Sequence, residues 1–341
     1  MLNLKTYILF ICLFVVIKST TAQDIHFSQF FASPLSLNPA NTGNFDGDWR
    51  LMNNYRNQWR ALSIPFRTIS VGLDKQFYLR SEKFSGGIYV INDKSGPAGL
   101  TVNKLFLSVA WHKNANGHNI HIGIQGGMVF KSFSMDEITF PNQFDPTTGY
   151  FNSELNTGET NFNLNTSYPD LNFGIAWNKK LRLVEPELGV SVFHLTMPAE
   201  TFFESNNLLP IRTAITGGLQ IPVSNFFFHP QGLYMLQSTA SEFIGGSEIG
   251  YNIPKGNFIK QIFAGYFFRN DFTTTFDASI LEIGLQIKQL RLGFSYDINS
   301  SHLKVATNKR GAFEFSLIYI SKSTIPQKIT LPCDRYNEKY K

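Results

Sequence analysis

Beyond its first two dozen residues the chain has no apolar run approaching the ~20 residues that a membrane-crossing helix needs, which excludes a helical membrane protein. Cysteine is nearly absent. Of the two, Cys12 and Cys333, the first lies in an N-terminal apolar segment, so the remainder cannot form an intrachain disulfide even in an oxidising compartment. Cys333, close to the C-terminus, reads either as an inert tail residue or as a thiol facing a partner. Charge is scarce too, at 16% of residues, with 30 basic against 25 acidic side chains and no concentrated basic stretch, which argues against a nucleic-acid partner. Metal-ligand spacing is missing among the seven His, and neither GxSxG, a phosphate-binding loop nor a GxGxxG in the right context occurs. The sequence thus gives no sign of a metal, a cofactor or a catalytic constellation. His112, His194 and His229 are the candidate acid–base groups for a lipid-modifying barrel enzyme, but nothing in the sequence ties any of them to a nucleophile.

Apolar residues are abundant, 43% of the chain with 33 Phe and 13 Tyr, yet the mean hydropathy is only −0.10. Greasy and polar residues are therefore evenly interleaved. The first 22 residues have the layout of a signal peptide: Lys5 supplies the charge, Tyr7 to Ile17 the apolar core and Thr20-Thr21-Ala22 a small-residue cleavage site. A mature chain beginning near Gln23 is expected, and Cys12 is badly placed for a lipoprotein. Losing Lys5 and Lys18 leaves 28 basic and 25 acidic residues, a net charge of +3.

Period-two alternation recurs along the rest, as in Leu290, Leu292, Phe294, Tyr296, Ile298 against Arg291, Gly293, Ser295, Asp297, Asn299. A soluble sandwich and a membrane barrel both alternate, but three features select the barrel. The polar faces are rich in Gly, Ala and Ser, which suits a crowded lumen. Aromatic residues such as Trp59, Tyr78, Trp111, Trp177 and Tyr251 gather at strand ends, where girdles would lie. The connections also sort by parity: long stretches (132–170, 195–210, 300–310) follow odd strands and tight turns follow even ones. The expected fold is all-β, a single antiparallel transmembrane β-barrel of about 14 strands in the outer membrane. The strands fall near 49–59, 65–78, 84–92, 100–112, 119–131, 171–179, 186–194, 211–221, 225–236, 242–252, 257–268, 275–287, 289–299 and 311–320. Pro230 and the Gly86-Gly87 pair weaken two of these, Gly86-Gly87 as a candidate bulge. The domain reading is signal peptide 1–22, periplasmic or lumenal lead-in 23–48, barrel 49–320 and periplasmic tail 321–341, with 132–170 as an outer loop that folds into the lumen or covers it.

Parity also points side chains. Arg50, Asn54, Arg56 and Gln58 share the inward face of the first strand, where they can hydrogen-bond a lead-in. Arg212, Glu282, Arg291, Asp297 and Glu314, with Lys131, Asp74 and Glu248, face the same interior, where enclosed charges pair into a structural network or line a selective channel. The lead-in either packs in or under the barrel, or its Phe27, Phe30 and Phe31 close the bottom edge.

Four segments, FSQFFASPLSLNPANTG (Phe27 to Gly43), NNYRNQWR (Asn53 to Arg60), YDINSS (Tyr296 to Ser301) and GAFEFSL (Gly311 to Leu317), resemble the PorP/SprF outer-membrane proteins of the Bacteroidetes type IX secretion and gliding machinery. The resemblance implies a non-enzymatic barrel that binds or anchors secreted surface adhesins through a C-terminal sorting domain and works with periplasmic secretion-system components, its outer wall in contact with lipid. It brings no catalytic residue and no cofactor. A general or substrate-selective porin is the competing function.

Overall fold

The computed structural model describes residues 24–324, except for 59–63, 81, 97–98, 135–138, 153, 157, 159–162, 203–206, 255–257, 272–274 and 302–303. The segment 1–22 expected to be a signal peptide, Trp59 and Cys333 lie outside the described residues. No described helix is long and apolar enough to cross a membrane.

Fourteen antiparallel strands close into a barrel: β1 Trp49–Gln58, β2 Phe66–Leu79, β3 Glu82–Ser95, β4 Leu100–Ala115, β5 His118–Ser132, β6 Asn165–Lys179, β7 Glu185–Phe193, β8 Arg212–Val223, β9 Phe226–Gln237, β10 Ala240–Asn252, β11 Ile259–Asp271, β12 Thr275–Ile287, β13 Leu290–Asn299 and β14 Arg310–Ile320. Each pairs with its chain neighbours, and β1 closes on β14 with Arg50 opposite Ile320 and Gln58 opposite Ala312. Closure removes both sheet edges, which hydrocarbon cannot hydrate. Both ends of the barrel chain and the turns after even-numbered strands lie at one mouth, the periplasmic one, while the three long connections lie at the other together with tight links such as the two-residue turn after Gln237. The ends meet there: Ser321 Oγ accepts from the amides of Asp48 and Trp49, and the Thr324 amide donates to the Asp48 carboxylate at 3.0 Å.

The wall obeys the two-residue period. On β2, Ile69, Val71 and Leu73 are exposed while Thr68, Ser70 and Asp74 are buried; on β4, Leu105, Leu107 and Val109 are exposed while Lys104, Ser108 and His112 are buried. The exposed apolar set faces lipid. Trp49, Phe77, Tyr78 and Phe226 stand exposed near the periplasmic ends of their strands, as an interfacial girdle requires.

Three local readings change. β6 starts at Asn165, so the connection is shorter than the 132–170 the sequence suggests; Pro169 and the polar run before it hide the alternation there. Gly86 and Gly87 sit in an unbroken ladder, and the irregularities fall at Ile259/Gln261, Arg269/Asn270 and Tyr296/Ile298. Pro230 is inside β9 and pairs with Ser247 on β10, while the β8–β9 ladder is interrupted opposite it. That is what a residue without an amide hydrogen imposes.

Candidate functional site

The lumen is occupied by the protein's own lead-in. Residues 24–48 enter the barrel interior near the outer mouth and descend to the start of β1. Pro and Asn set the path. Pro34 and Pro39 open single helical turns at Pro34–Leu37 and Pro39–Asn41, and the Asn38 side chain caps the second by accepting from the Ala40 amide at 2.8 Å.

At the outer end, Asp24 is gripped by Lys104, by Arg212 at 3.3 Å and by His194 at 3.4 Å. Burial would raise the Asp24 carboxyl, but Lys104, Arg212 and His194 outweigh it and hold it well below the usual carboxylate range. His194 also meets Asp170 at 2.9 Å. Burial disfavours its charge, yet the hydrogen bond to Asp170 and the Asp24 carboxylate beside it hold the imidazole above its ordinary value.

A second network lies across the barrel. The Ser28 and Gln29 amides donate to Glu314 at 2.7 and 2.9 Å, and Ser28 Oγ donates to Asp297 at 2.7 Å. Arg56 bridges Glu314 and Asp297, donates to Ser28 Oγ and, at 3.1 Å, to Gln58 Oε1, while Arg269 joins Asp297 at 3.2 Å.

Below these ion pairs the lead-in is apolar. Phe30 packs with Phe193, Leu233, Ile244, Phe267 and Ile280, and Leu35 packs with Met52, Tyr89, Phe106, Val129 and Tyr168. These are inward residues on opposite sides of the barrel, so the segment spans the lumen from wall to wall. The interior is therefore not only polar, as alternation suggested: it contains a packed core in which burying each of Phe30 and Leu35 contributes about 1.5–3 kcal/mol. Phe27 and Phe30 are buried in this interior and Phe31 packs half-buried against the same core, so none of the three lies at a bottom edge.

Further down, Asn38 Nδ2 donates to the Ile175 and Val190 carbonyls at 3.0 and 3.2 Å. The approach is close enough to require glycine on the wall: a Cβ at Gly123 would stand 2.3 Å from the Pro39 carbonyl carbon, and one at Gly174 would stand 1.9 Å from Asn38 Oδ1. Gly43, at φ +68°, donates to Asp74 at 2.7 Å, and Arg50 clamps the same carboxylate at 2.7 Å while donating to the Asn41 carbonyl at 2.9 Å.

Of the side chains singled out by parity, the structure places Arg50, Arg56 and Glu314 against the lead-in, Asp297 and Gln58 beside Arg56, and Arg212 on Asp24. Asn54 is buried near Ser70. Arg291 pairs with Glu248 and stacks on Phe263 toward the periplasmic end. Glu282 is buried with no hydrogen-bond partner for either oxygen among the described residues. Asp24, Lys104, Asp170, His194 and Arg269 complete the outer clusters. Their pairing is not legible in the sequence, because parity gives the face of a strand but not which charges share a depth.

Ser85 Oγ and His112 Nε2 are 2.7 Å apart, His112 meets His121 at 2.6 Å, and His121 meets Asn178 at 2.9 Å. Ser85 is sealed under Gly43, whose added Cβ would lie 1.8 Å from the hydroxyl, so no substrate carbonyl can reach it. His229 pairs with Glu187 at 3.0 Å.

Besides a cavity of about 260 Å³ between the lead-in and the wall, the described residues offer an open surface at each mouth. The periplasmic mouth holds a polar vestibule of about 690 Å³ bordered by Asp46, Glu82, Lys83, His112, Lys113 and Glu185. On the outer side a two-residue hairpin pairs Phe144 with Phe151 and Asp145 with Tyr150, leaving Tyr150 77% and Phe151 53% exposed. The neighbouring loops are tied together through Phe133 against Phe202 and Lys131 with Glu200.

The family model described as type IX secretion system membrane protein PorP/SprF matches residues 19–319. The chain belongs to this PorP/SprF family. Membership and the closed barrel together give an outer-membrane location and a component of a secretion system. No curated protein matches the chain. Among solved structures, this PorP/SprF protein is similar to the CymD monoaromatic hydrocarbon channel, at 10% identity over 85% of this chain and 93% of that one with a TM-score of 0.47. It is also similar to the beta domain of the Bordetella autotransporter Brka (13%, 80% and 98%, 0.36) and to CdiB from Acinetobacter baumannii (8%, 81% and 60%, 0.44).

Proposed function

We propose that this PorP/SprF protein is a non-conducting, non-enzymatic anchor of the type IX secretion and gliding apparatus. It is processed by removal of residues 1–22, holds secreted surface proteins such as adhesins on its outer loops through their C-terminal sorting domain, and meets periplasmic components of the apparatus at the opposite mouth. The observation that carries this reading is the lumenal segment 24–48, anchored by buried ion pairs at its outer end and by glycine-dependent contacts lower down. A barrel filled this way supports a scaffold over a porin, because conduction would require expelling a packed core together with paired buried charges. The exposed aromatic hairpin supports a protein client outside, since large solvent-facing aromatics in a loop are typical of interaction surfaces. The vestibule supports a polar partner segment below.

Planar-bilayer recording and a deletion strain test the proposal together. The intact protein should carry no large steady current, and the deletion should strip adhesin from the cell surface. A steady open current, or unchanged surface adhesin in the deletion strain, would refute it.

A further inference from the structure

Two even-numbered strands carry the same pattern near the periplasmic rim: Trp111-His112-Lys113 on β4 and Trp177-Asn178-Lys179 on β6. In each, alternation turns the tryptophan and the lysine outward, toward lipid, while His112 and Asn178 border the vestibule. On β4 both outward donors end on one anion: the Trp111 indole donates to Glu82 Oε2 at 3.0 Å, and Lys113 pairs with Glu82 Oε1. On β6 that anion is missing. Trp177 donates to His118 Nδ1 at 3.1 Å, which leaves the ring hydrogen on Nε2, and that nitrogen lies 2.8 Å from Lys179 Nζ. An imidazole N–H and an ammonium thus face each other, and among the described residues no carboxylate pairs with Lys179. Glu185 and Glu187, the nearest acids along the chain, are turned to the vestibule, where Glu185 accepts from Asn178 at 2.9 Å and Glu187 meets His229 at 3.0 Å.

The surroundings are those of a membrane–water boundary. Ile120 and Leu188 are the cross-strand partners of Trp177 on either side, and both are exposed on the lipid-facing wall together with Ile175. Past Lys179 a tight turn, closed by the Leu181 amide on the Val184 carbonyl at 2.9 Å, exposes Leu181, Arg182 and Leu183. Leucines flanking a cation suit a surface of acyl chains topped by anionic headgroups. We propose that His118 and Lys179, held in place by Trp177, bind the phosphate of a phospholipid in the periplasmic leaflet, with its acyl chains along Ile120, Ile175 and Leu188. The phosphate does on β6 what the Glu82 carboxylate does on β4. Its oxygens accept from Lys179 and from His118 Nε2, which gives the two facing donors a shared acceptor. Arg182, on the turn that follows, adds positive charge at the same rim.

The test uses the whole protein purified from outer membrane, delipidated in a neutral detergent and titrated with dioleoylphosphatidylglycerol, the bound lipid being counted by native mass spectrometry. Dioleoylglycerol, with the same tails and no phosphate, and inorganic phosphate, the anion alone, are the comparison ligands. The natural protein should retain phosphatidylglycerol and not the diacylglycerol, and inorganic phosphate should not displace the lipid. Lys179→Gln should need about tenfold more lipid for the same occupancy, as expected from the loss of one charge-assisted hydrogen bond. His118→Glu builds on β6 the carboxylate that β4 already has, so it should keep its heat-modifiable gel mobility and lose the lipid. Should that variant fail to fold, Lys179→Gln carries the test alone. Lys113→Gln, whose lysine is already served by Glu82, should bind lipid as the natural protein does. Undiminished retention in Lys179→Gln, equal binding of diacylglycerol, displacement by inorganic phosphate, or a loss in Lys113→Gln as large as that in Lys179→Gln would overturn the proposal.

Discussion

Arg56 and Glu314 occupy directly paired positions on the first and last strands, so the ion pair between them closes the barrel seam, and the same Glu314 carboxylate receives the amides of Ser28 and Gln29. Seam and lumenal segment thus share one buried charge centre. Removing one member leaves the other charge without its partner in a dry interior, at a cost of about 3–5 kcal/mol. Arg56→Met is therefore expected to lower the temperature at which heat-modifiable mobility is lost, and to expose residues 24–48 to protease in the folded barrel. Unchanged protease protection in a stably folded Arg56→Met protein would show that the lead-in does not depend on this pair.

That centre also marks how far the sequence could be read. Arg56 and Glu314 were assignable to the interior because strand parity is a backbone property that any alternating segment displays. Their connection to Ser28 was not, because residues 24–48 have no period and their path is set by contacts with strands hundreds of residues away. Phe30 and Leu35 illustrate the same limit: an inward Phe267 or Phe106 reads as one more aromatic in a barrel until something apolar is found in the lumen to cover it. Lipid-facing and core-facing apolar residues are chemically alike, and on β4 they alternate with each other, so composition alone made the interior look more polar than it is.

Close approach at Gly123 yields a second expectation. Alanine there would drive a methyl group into the Pro39 carbonyl and the Ala40 amide, backbone atoms that cannot rotate away. Overpacking of this kind costs about 1–3 kcal/mol. Gly123→Ala should loosen the turn at Pro39–Asn41 and raise protease sensitivity of the lead-in, while Gly126→Ala, whose Cβ meets nothing closer than 3.7 Å, should leave it unaltered. Equal behaviour of the two variants would contradict the wall-to-wall contact.

The outer hairpin gives a prediction about clients. Tyr150 and Phe151 contribute little to the barrel, being exposed on a loop, so Tyr150→Ser with Phe151→Ser should change its thermal stability by no more than about 0.5 kcal/mol. If the hairpin holds a secreted adhesin, the double variant should release it into the medium from cells whose barrel level is normal. Full surface retention would place the client elsewhere.

The Asp24–His194–Asp170 cluster predicts a pH response. Asp24 is depressed below its unfolded value of 3.8, so its contribution is present above that value and disappears only as pH falls through the lower folded value. His194 is raised above 6.5, so its contribution is complete below 6.5 and is lost as pH rises through the folded value. The cluster is strongest between these limits. It faces Lys104 and Arg212 as well, so the alkaline loss must be assigned to the imidazole by comparison with His194→Gln, which has no titrating ring. Protease cleavage of residues 24–48 should be much slower in the natural protein than in His194→Gln at pH 5.5, and the two rates should draw together as pH rises through the raised value of His194. A ratio independent of pH, or one that widens on the alkaline side, would mean that His194 is not held as a cation between Asp24 and Asp170.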